Sequence, residues 1–135
     1  MGIRKIDNKY LDDIFSLYEL EGWTSYTKEK ESLKRMLEKS STIGFFQNDI
    51  LIGILRFLTD GEHLLYIQDL IVKKENRRQK IATQLINNLL ENYSNIRNIN
   101  LITDSGSLEA NKFYQKIGFT NLTNLNLNGY YYIGN

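Results

Sequence analysis

The sequence predicts an α/β domain on a mixed, mostly antiparallel sheet, with elements in the order ααβββαβαββ. Three features carry that expectation: two stripes of helical period open the chain, three strand-like runs divided by tight-turn signals follow, and helix and strand then alternate. In the first stripe, residues 7–20, Tyr10, Leu11, Ile14, Phe15, Leu17 and Tyr18 share one face, Asp7 suits the N-cap, and Glu21-Gly22 marks the end. Thr27 is the expected cap of a second helix, whose buried stripe is Leu33, Met36 and Leu37 and which ends by Ser40. Gly22-Trp23-Thr24-Ser25-Tyr26 lies between them as an aromatic connector.

Residues 42–47 and 50–58 flank Asn48-Asp49, a two-residue hairpin signal, and Asp60-Gly61 turns the chain into a third strand, Leu64–Val72. A helix over 79–93 then carries the chain to a parallel strand over 99–103. The last helix, 107–117, stops at Gly118, which suits a left-handed terminus. Residues 119–122 and 130–133 are expected to close the sheet as two strands.

A chain of 135 residues suits one domain, expected here to span 1–135. Its 17 basic and 16 acidic residues leave a net charge of +1, which argues against a general binder of nucleic acid or of membrane surfaces. Cysteine is absent, so disulfides, thiolate catalysis and cysteine-ligated zinc are excluded. His63 is the sole histidine, so a histidine-rich metal site is excluded and no metal is expected. The N-terminal residues lack the apolar run of a secretory signal, and no stretch approaches the roughly 20 apolar residues that span a bilayer. A cytoplasmic protein is the expectation.

The segment Asn76-Arg77-Arg78-Gln79-Lys80-Ile81-Ala82-Thr83 follows the apolar strand and opens a helix. A basic loop at a helix N-terminus presents unpaired N–H groups and the positive end of the dipole, a setting for a phosphate. Downstream stands Ser107-Leu-Glu-Ala-Asn-Lys-Phe-Tyr-Gln-Lys-Ile-Gly-Phe119. Together these segments resemble the GNAT superfamily of acyl-CoA-dependent N-acyltransferases over nearly the whole chain. Arg77 and Ala82 match the pyrophosphate signature, Lys80 replaces its central glycine, and Ala110, Phe113, Tyr114, Gly118 and Phe119 match the second segment. Ser107 stands where many relatives have an asparagine on the pantetheine arm. Gly22-Trp23, Asp60 and residues 67–72 further resemble a branch of small bacterial proteins and plant serotonin N-acetyltransferase-like enzymes.

The resemblance implies a twisted sheet with helices on both faces and acetyl-CoA as co-substrate. It implies contacts from Leu70, Ile71, Val72, Arg77, Arg78, Gln79, Lys80, Ile81, Ala82, Thr83, Asn111 and Tyr114, with Tyr114 protonating the departing thiolate. A lysine held at positive φ would be strained by about 1–2 kcal/mol, which a phosphate beside its ammonium could offset. Asp69 interrupts an apolar strand on the face of Ile67 and Ile71, so it is a base made useful by burial, or else a carboxylate paired with a nearby Lys or Arg or capping a loop. Trp23, Tyr26, Asp60 and Tyr66, with Tyr130 to Tyr132, are candidate walls for a small-molecule or peptide amine. Asp60 alternatively serves its turn. The leading expectation is an N-acetyltransferase acting by direct attack in a ternary complex, alone or as a homodimer. The rivals are a non-catalytic CoA-binding module and a nucleic-acid-associated protein.

Overall fold

A computed structural model describes residues 2–134, which form two compact units, 2–102 and 103–134. The first unit contains a five-stranded sheet in sequence order: β1 (Gly2–Ile6), β2 (Ser41–Gln47), β3 (Ile50–Thr59), β4 (Leu64–Val72) and β5 (Asn98–Leu101). Neighbours pair antiparallel except β4 and β5, which are parallel, so the sheet is mixed as the sequence predicts. The β2–β3 hairpin turns at Asn48 and Asp49, with φ of 53° and 61°, the left-handed pair that a two-residue loop requires.

Seven consecutive residues of β3, Leu51 to Phe57, are buried, which needs cover on both faces of the sheet. On one face, α1 (Leu11–Glu21) and α3 (Lys30–Glu38) bring Ile14, Leu17, Tyr18, Leu33 and Leu37 against Phe46, Leu51, Ile54 and Ile71. On the other, α4 (Ile81–Asn92) approaches at Gly53, where a Cβ would lie 3.1 Å from the Ile71 carbonyl oxygen and 3.5 Å from the Ile81 side chain. The one-turn α2 (Thr24–Thr27) occupies the aromatic connector. In the second unit α5 (Leu108–Lys116) starts on Ser107, whose hydroxyl accepts from the Ala110 N–H.

Besides the short α2, the structure departs from the expectation at β1, at two helix caps and at the two closing strands. The expectation omits β1, an edge strand whose only apolar side chains after Gly2 are Ile3 and Ile6. Asp7 caps a 3₁₀ turn at Asn8–Tyr10 rather than α1 itself, and α3 begins after Glu29 without a side-chain cap, so Thr27 is not its cap. Residues 119–122 and 130–133 are not strands. Asn121 instead caps a 3₁₀ turn, Leu122–Leu125, by accepting from the Thr123 N–H, and Asn126 ends that turn with φ 59°. Short asparagine side chains thus offer the backbone local partners that compete with a sheet ladder.

Candidate active site

Strand β4 outruns its parallel neighbour. Pairing with β5 runs from Leu64 opposite Asn98 to Ile67 opposite Leu101, and Gln68 to Val72 continue with no β5 residue beside them. The Lys73 N–H donates to the Ile52 carbonyl at 2.9 Å, so by strand alternation the Ile71 peptide group also faces β3, while those of Leu70 and Val72 face the side left by β5. Ile71, expected among the backbone contacts, is therefore turned away from that side. The Val72 carbonyl there accepts from Arg77 Nε at 3.1 Å, and Arg77 also forms a 2.7 Å ion pair with Glu21. Arg77, expected at a phosphate, thus ties the end of β4 to the end of α1.

The loop from β4 into α4 is bent through two left-handed residues, Arg78 (φ 70°) and Lys80 (φ 60°). Lys80 is the N-cap of α4 and makes no side-chain capping bond; the first helical bond runs from the Gln84 N–H to the Lys80 carbonyl. Helix geometry leaves the N–H groups of Ile81, Ala82 and Thr83 without acceptors behind them. Those donors and the adjacent Arg78 and Lys80 side chains form a surface with the chemistry of an anion site.

On the α1 side of β4 an open cleft of about 410 Å³ is lined by Gly22, Trp23, Thr24, Ser25, Tyr26 and Asp69. Three of the expected site residues, Trp23, Tyr26 and Asp69, meet there. The rings of Trp23 and Tyr26 lie 6.2 Å apart, and each packs on buried Tyr18, at 5.9 and 4.6 Å. Asp69 is buried, and its Oδ2 accepts from Arg56 Nε at 2.6 Å and the Tyr18 hydroxyl at 2.7 Å, its Oδ1 from the Tyr26 hydroxyl at 3.1 Å. The paired alternative for this carboxylate is therefore the geometry found. Burial, and then the Asp69 charge, drive the Tyr18 phenol far above its ordinary value. Burial alone would lower Arg56, but Asp69 and Tyr18 reverse that and raise it.

Asp60 and Tyr66 do not line the cleft. The Asp60 carboxylate accepts from the N–H groups of Glu62, His63 and Leu64, and these bonds hold its pKa down at about 2. Tyr66 is half-buried on β4 opposite Leu58 and Asn100. Tyr130, Tyr131 and Tyr132 are exposed.

Within the second unit, Asn111 is committed to its own loop: its side-chain amide donates to the carbonyls of Asp104 and Ser107, and its oxygen accepts from the Thr103 hydroxyl. Tyr114 packs edge-on to Phe113 and Phe119, and burial pushes its phenol up to about 12. Arg56 and Tyr18 are the residues that the sequence reading missed. The available signal was a charge, Arg56, breaking the apolar run 50–58 in the strand next to the one that Asp69 breaks.

Among the described residues no helix is long and apolar enough to cross a membrane, and no group of three His, Cys, Asp or Glu side chains could hold a metal. Residues 11–128 match the family model described as an acetyltransferase (GNAT) domain. A GNAT-family acetyltransferase from Streptococcus pneumoniae TIGR4 has a similar structure at 29% identity, with 98% of this chain and 97% of that one covered and a TM-score of 0.83. The aminoglycoside N-acetyltransferase AAC(6')-Iy, in complex with CoA, shares the fold at 15% identity, with 99% and 93% covered and a TM-score of 0.78. So does an aminoglycoside acetyltransferase from an uncultured soil metagenomic sample, in complex with sisomicin, at 18% identity, 98% and 96% coverage and a TM-score of 0.73. No curated protein sequence matches the chain.

Proposed function

Because this chain belongs to the GNAT acetyltransferase family and is therefore an acyltransferase, we propose that it transfers the acetyl group of acetyl-CoA to the primary amine of a small molecule or peptide, in the cytoplasm, by direct attack in a ternary complex. The observation that carries the reading is the backbone of β4 that β5 leaves uncovered from Gln68 to Val72, continuing to the first amides of α4, with the Val72 carbonyl alone taken up by Arg77. The Leu70 carbonyl and the Val72 N–H bind the pantetheine arm as a neighbouring strand would. The amides of Gln79, Lys80, Ile81, Ala82 and Thr83, with the side chains of Arg78 and Lys80, take the pyrophosphate.

The acceptor sits in the cleft between Trp23 and Tyr26, whose aromatic faces suit an amine. Its neutral nitrogen attacks the thioester carbonyl, and the Leu70 N–H stabilises the developing oxyanion. As the carbon–nitrogen bond forms and the carbon–sulfur bond breaks, Asp69 takes the amine proton, directly or through water, at the lone pair left on Oδ1. Tyr114 gives its proton to the thiolate; a phenol raised to about 12 is fully protonated at neutral pH, as an acid must be.

The test is thiol release from acetyl-CoA with a panel of monoamines, aminoglycosides, peptide N-termini and lysine peptides. Release with at least one class is expected; release with none defeats the proposal. A second reading, a CoA-binding module without turnover, draws on the candidate base Asp69 being held by three donors, Arg56, Tyr18 and Tyr26. It predicts a thermal shift with CoA and no thiol release.

A further inference from the structure

We infer that Arg56 is the positioning residue of the acceptor cleft, holding Asp69 and Tyr26 in register as one unit; this rests on the acetyl-transfer reading above. Arg56 is 5% exposed and is the cross-strand partner of Asp69 on β3. Its one guanidinium reaches three side chains. Nε donates to Asp69 Oδ2 at 2.6 Å, NH2 to the Tyr26 hydroxyl at 3.4 Å, and NH1 to the Ser40 hydroxyl at 3.2 Å. Ser40 is itself fixed, because its hydroxyl donates to the Met36 carbonyl at the end of α3 at 2.8 Å. The planar fork therefore anchors two cleft-lining residues to a corner of the fold outside the cleft, which a point charge such as an ammonium cannot do.

Stability alone is a weak account of this arrangement, since taking a charged pair out of water offsets most of its Coulombic attraction. Its placement is the stronger observation. Asp69 forms part of the cleft lining, and Tyr26 forms one wall and also accepts from Gln68 Nε2 at 3.3 Å. A shift of the guanidinium moves both groups that face the acceptor, and it leaves the β4–α4 loop that faces the cofactor without a changed contact.

The test is Arg56→Lys, which keeps the charge and loses the fork. Trp23 is the chain's single tryptophan and stands in the cleft, so its emission reports cleft geometry whether or not turnover is seen. Expected are a cooperative melt, CoA affinity within twofold of wild type, an acceptor KM raised about tenfold or more, and altered Trp23 emission. Ser40→Ala, which removes only the outer anchor, should show the same pattern at a few-fold, and it decides the matter if Arg56→Lys does not fold. Acceptor KM and Trp23 emission unchanged in a folded variant would overturn the inference. If wild-type protein transfers no acetyl group to any amine, the acetyl-transfer reading fails, while the Trp23 signal still tests what Arg56 holds in place.

Discussion

Lys80 offers a sharp test of the cofactor loop, because its backbone and its ammonium make opposite contributions. At φ 60° and ψ 25° it sits in the left-handed region, which disfavours a residue with a Cβ by about 1–2 kcal/mol relative to glycine. Glycine also raises the entropy of the unfolded chain, which returns roughly 0.5–1 kcal/mol. Lys80→Gly should therefore stabilise the fold by a net of roughly 0.5–1 kcal/mol, a rise in Tm of about 2–4 °C for a chain of this size. The same change removes an exposed cation beside the expected pyrophosphate, and a screened surface pairing contributes about 0.5–1 kcal/mol. CoA affinity should fall by roughly two- to fivefold at low salt, with the difference shrinking as salt is added.

Lys80→Ala separates the two effects, since alanine keeps the strained backbone and loses only the charge. It should bind CoA as weakly as Lys80→Gly and melt close to wild type. Thermal melts and calorimetric titrations with CoA at two salt concentrations check both halves. If Lys80→Gly is no more stable than Lys80→Ala, the strain argument is refuted. Equal CoA affinity in all three proteins at low salt would show that the ammonium does not meet the phosphate.

Tyr114→Phe should lower turnover by about 100-fold, the low end of what general acids contribute, while CoA affinity measured by calorimetry stays within twofold. The same variant should change alkaline stability. The folded Tyr114 pKa of about 12 lies above its ordinary 10.0, so its contribution is fully present below pH 10 and is lost as pH rises towards 12. Urea melts between pH 9 and 12 should show a smaller decline in the variant. At the acid end Asp60 works in the opposite sense: its pKa is lowered from 3.8 to about 2, so its contribution is present above pH 4 and is lost as pH falls towards 2. Asp60→Ala, which removes the acceptor for three N–H groups, should flatten the acid limb of a stability–pH profile and leave acetyl transfer unchanged. Asp69→Asn leaves the Arg56 charge buried without its partner and should destabilise the fold by about 3–5 kcal/mol, read from chemical denaturation, as well as suppress turnover.

Where the sequence was most legible, the reason is local. The helical stripes, the Asn48-Asp49 hairpin and the glycine ends of α1 and α5 follow from side-chain period and from positions that demand positive φ, and Gly22 and Gly118 adopt φ of 79° and 108°. Such features need no knowledge of what packs across the sheet. Arg56 and Tyr18 were not legible in that way, because their meaning depends on pairing over 13 and 51 residues with Asp69. Arg56 alone looks like an interruption in a strand, and Asp69 alone looks like a candidate base. Only the β3–β4 register, fixed by the Asp60-Gly61 turn and a bulge between Arg56 and Phe57, makes them one group. The expected closing strand over 119–122 failed for a related reason: Phe119 and Thr120 suit a strand, but the pattern carries no term for Asn121 bonding back to its own turn.

The strain at Arg78 and Lys80 is informative because of what surrounds it. Two left-handed residues within three positions persist only if the flanking structure over-determines them. On one side the Asn76 N–H donates to the Lys73 carbonyl, the Asn76 amide reaches the Gln47 side chain, and Arg77 is fastened to both Val72 and Glu21. On the other side α4 is pinned by buried Ile81, Leu85, Ile86 and Leu89. Arg77 therefore need not touch a phosphate to matter for binding one. By clamping the loop from the strand side it fixes the direction of the amides that follow, and donors already aimed need no reorganisation when an anion arrives. A sequence motif that places an arginine at the head of this loop is thus consistent with two physical roles, ligand and clamp, and the contacts of Arg77 with Val72 and Glu21 are those of a clamp.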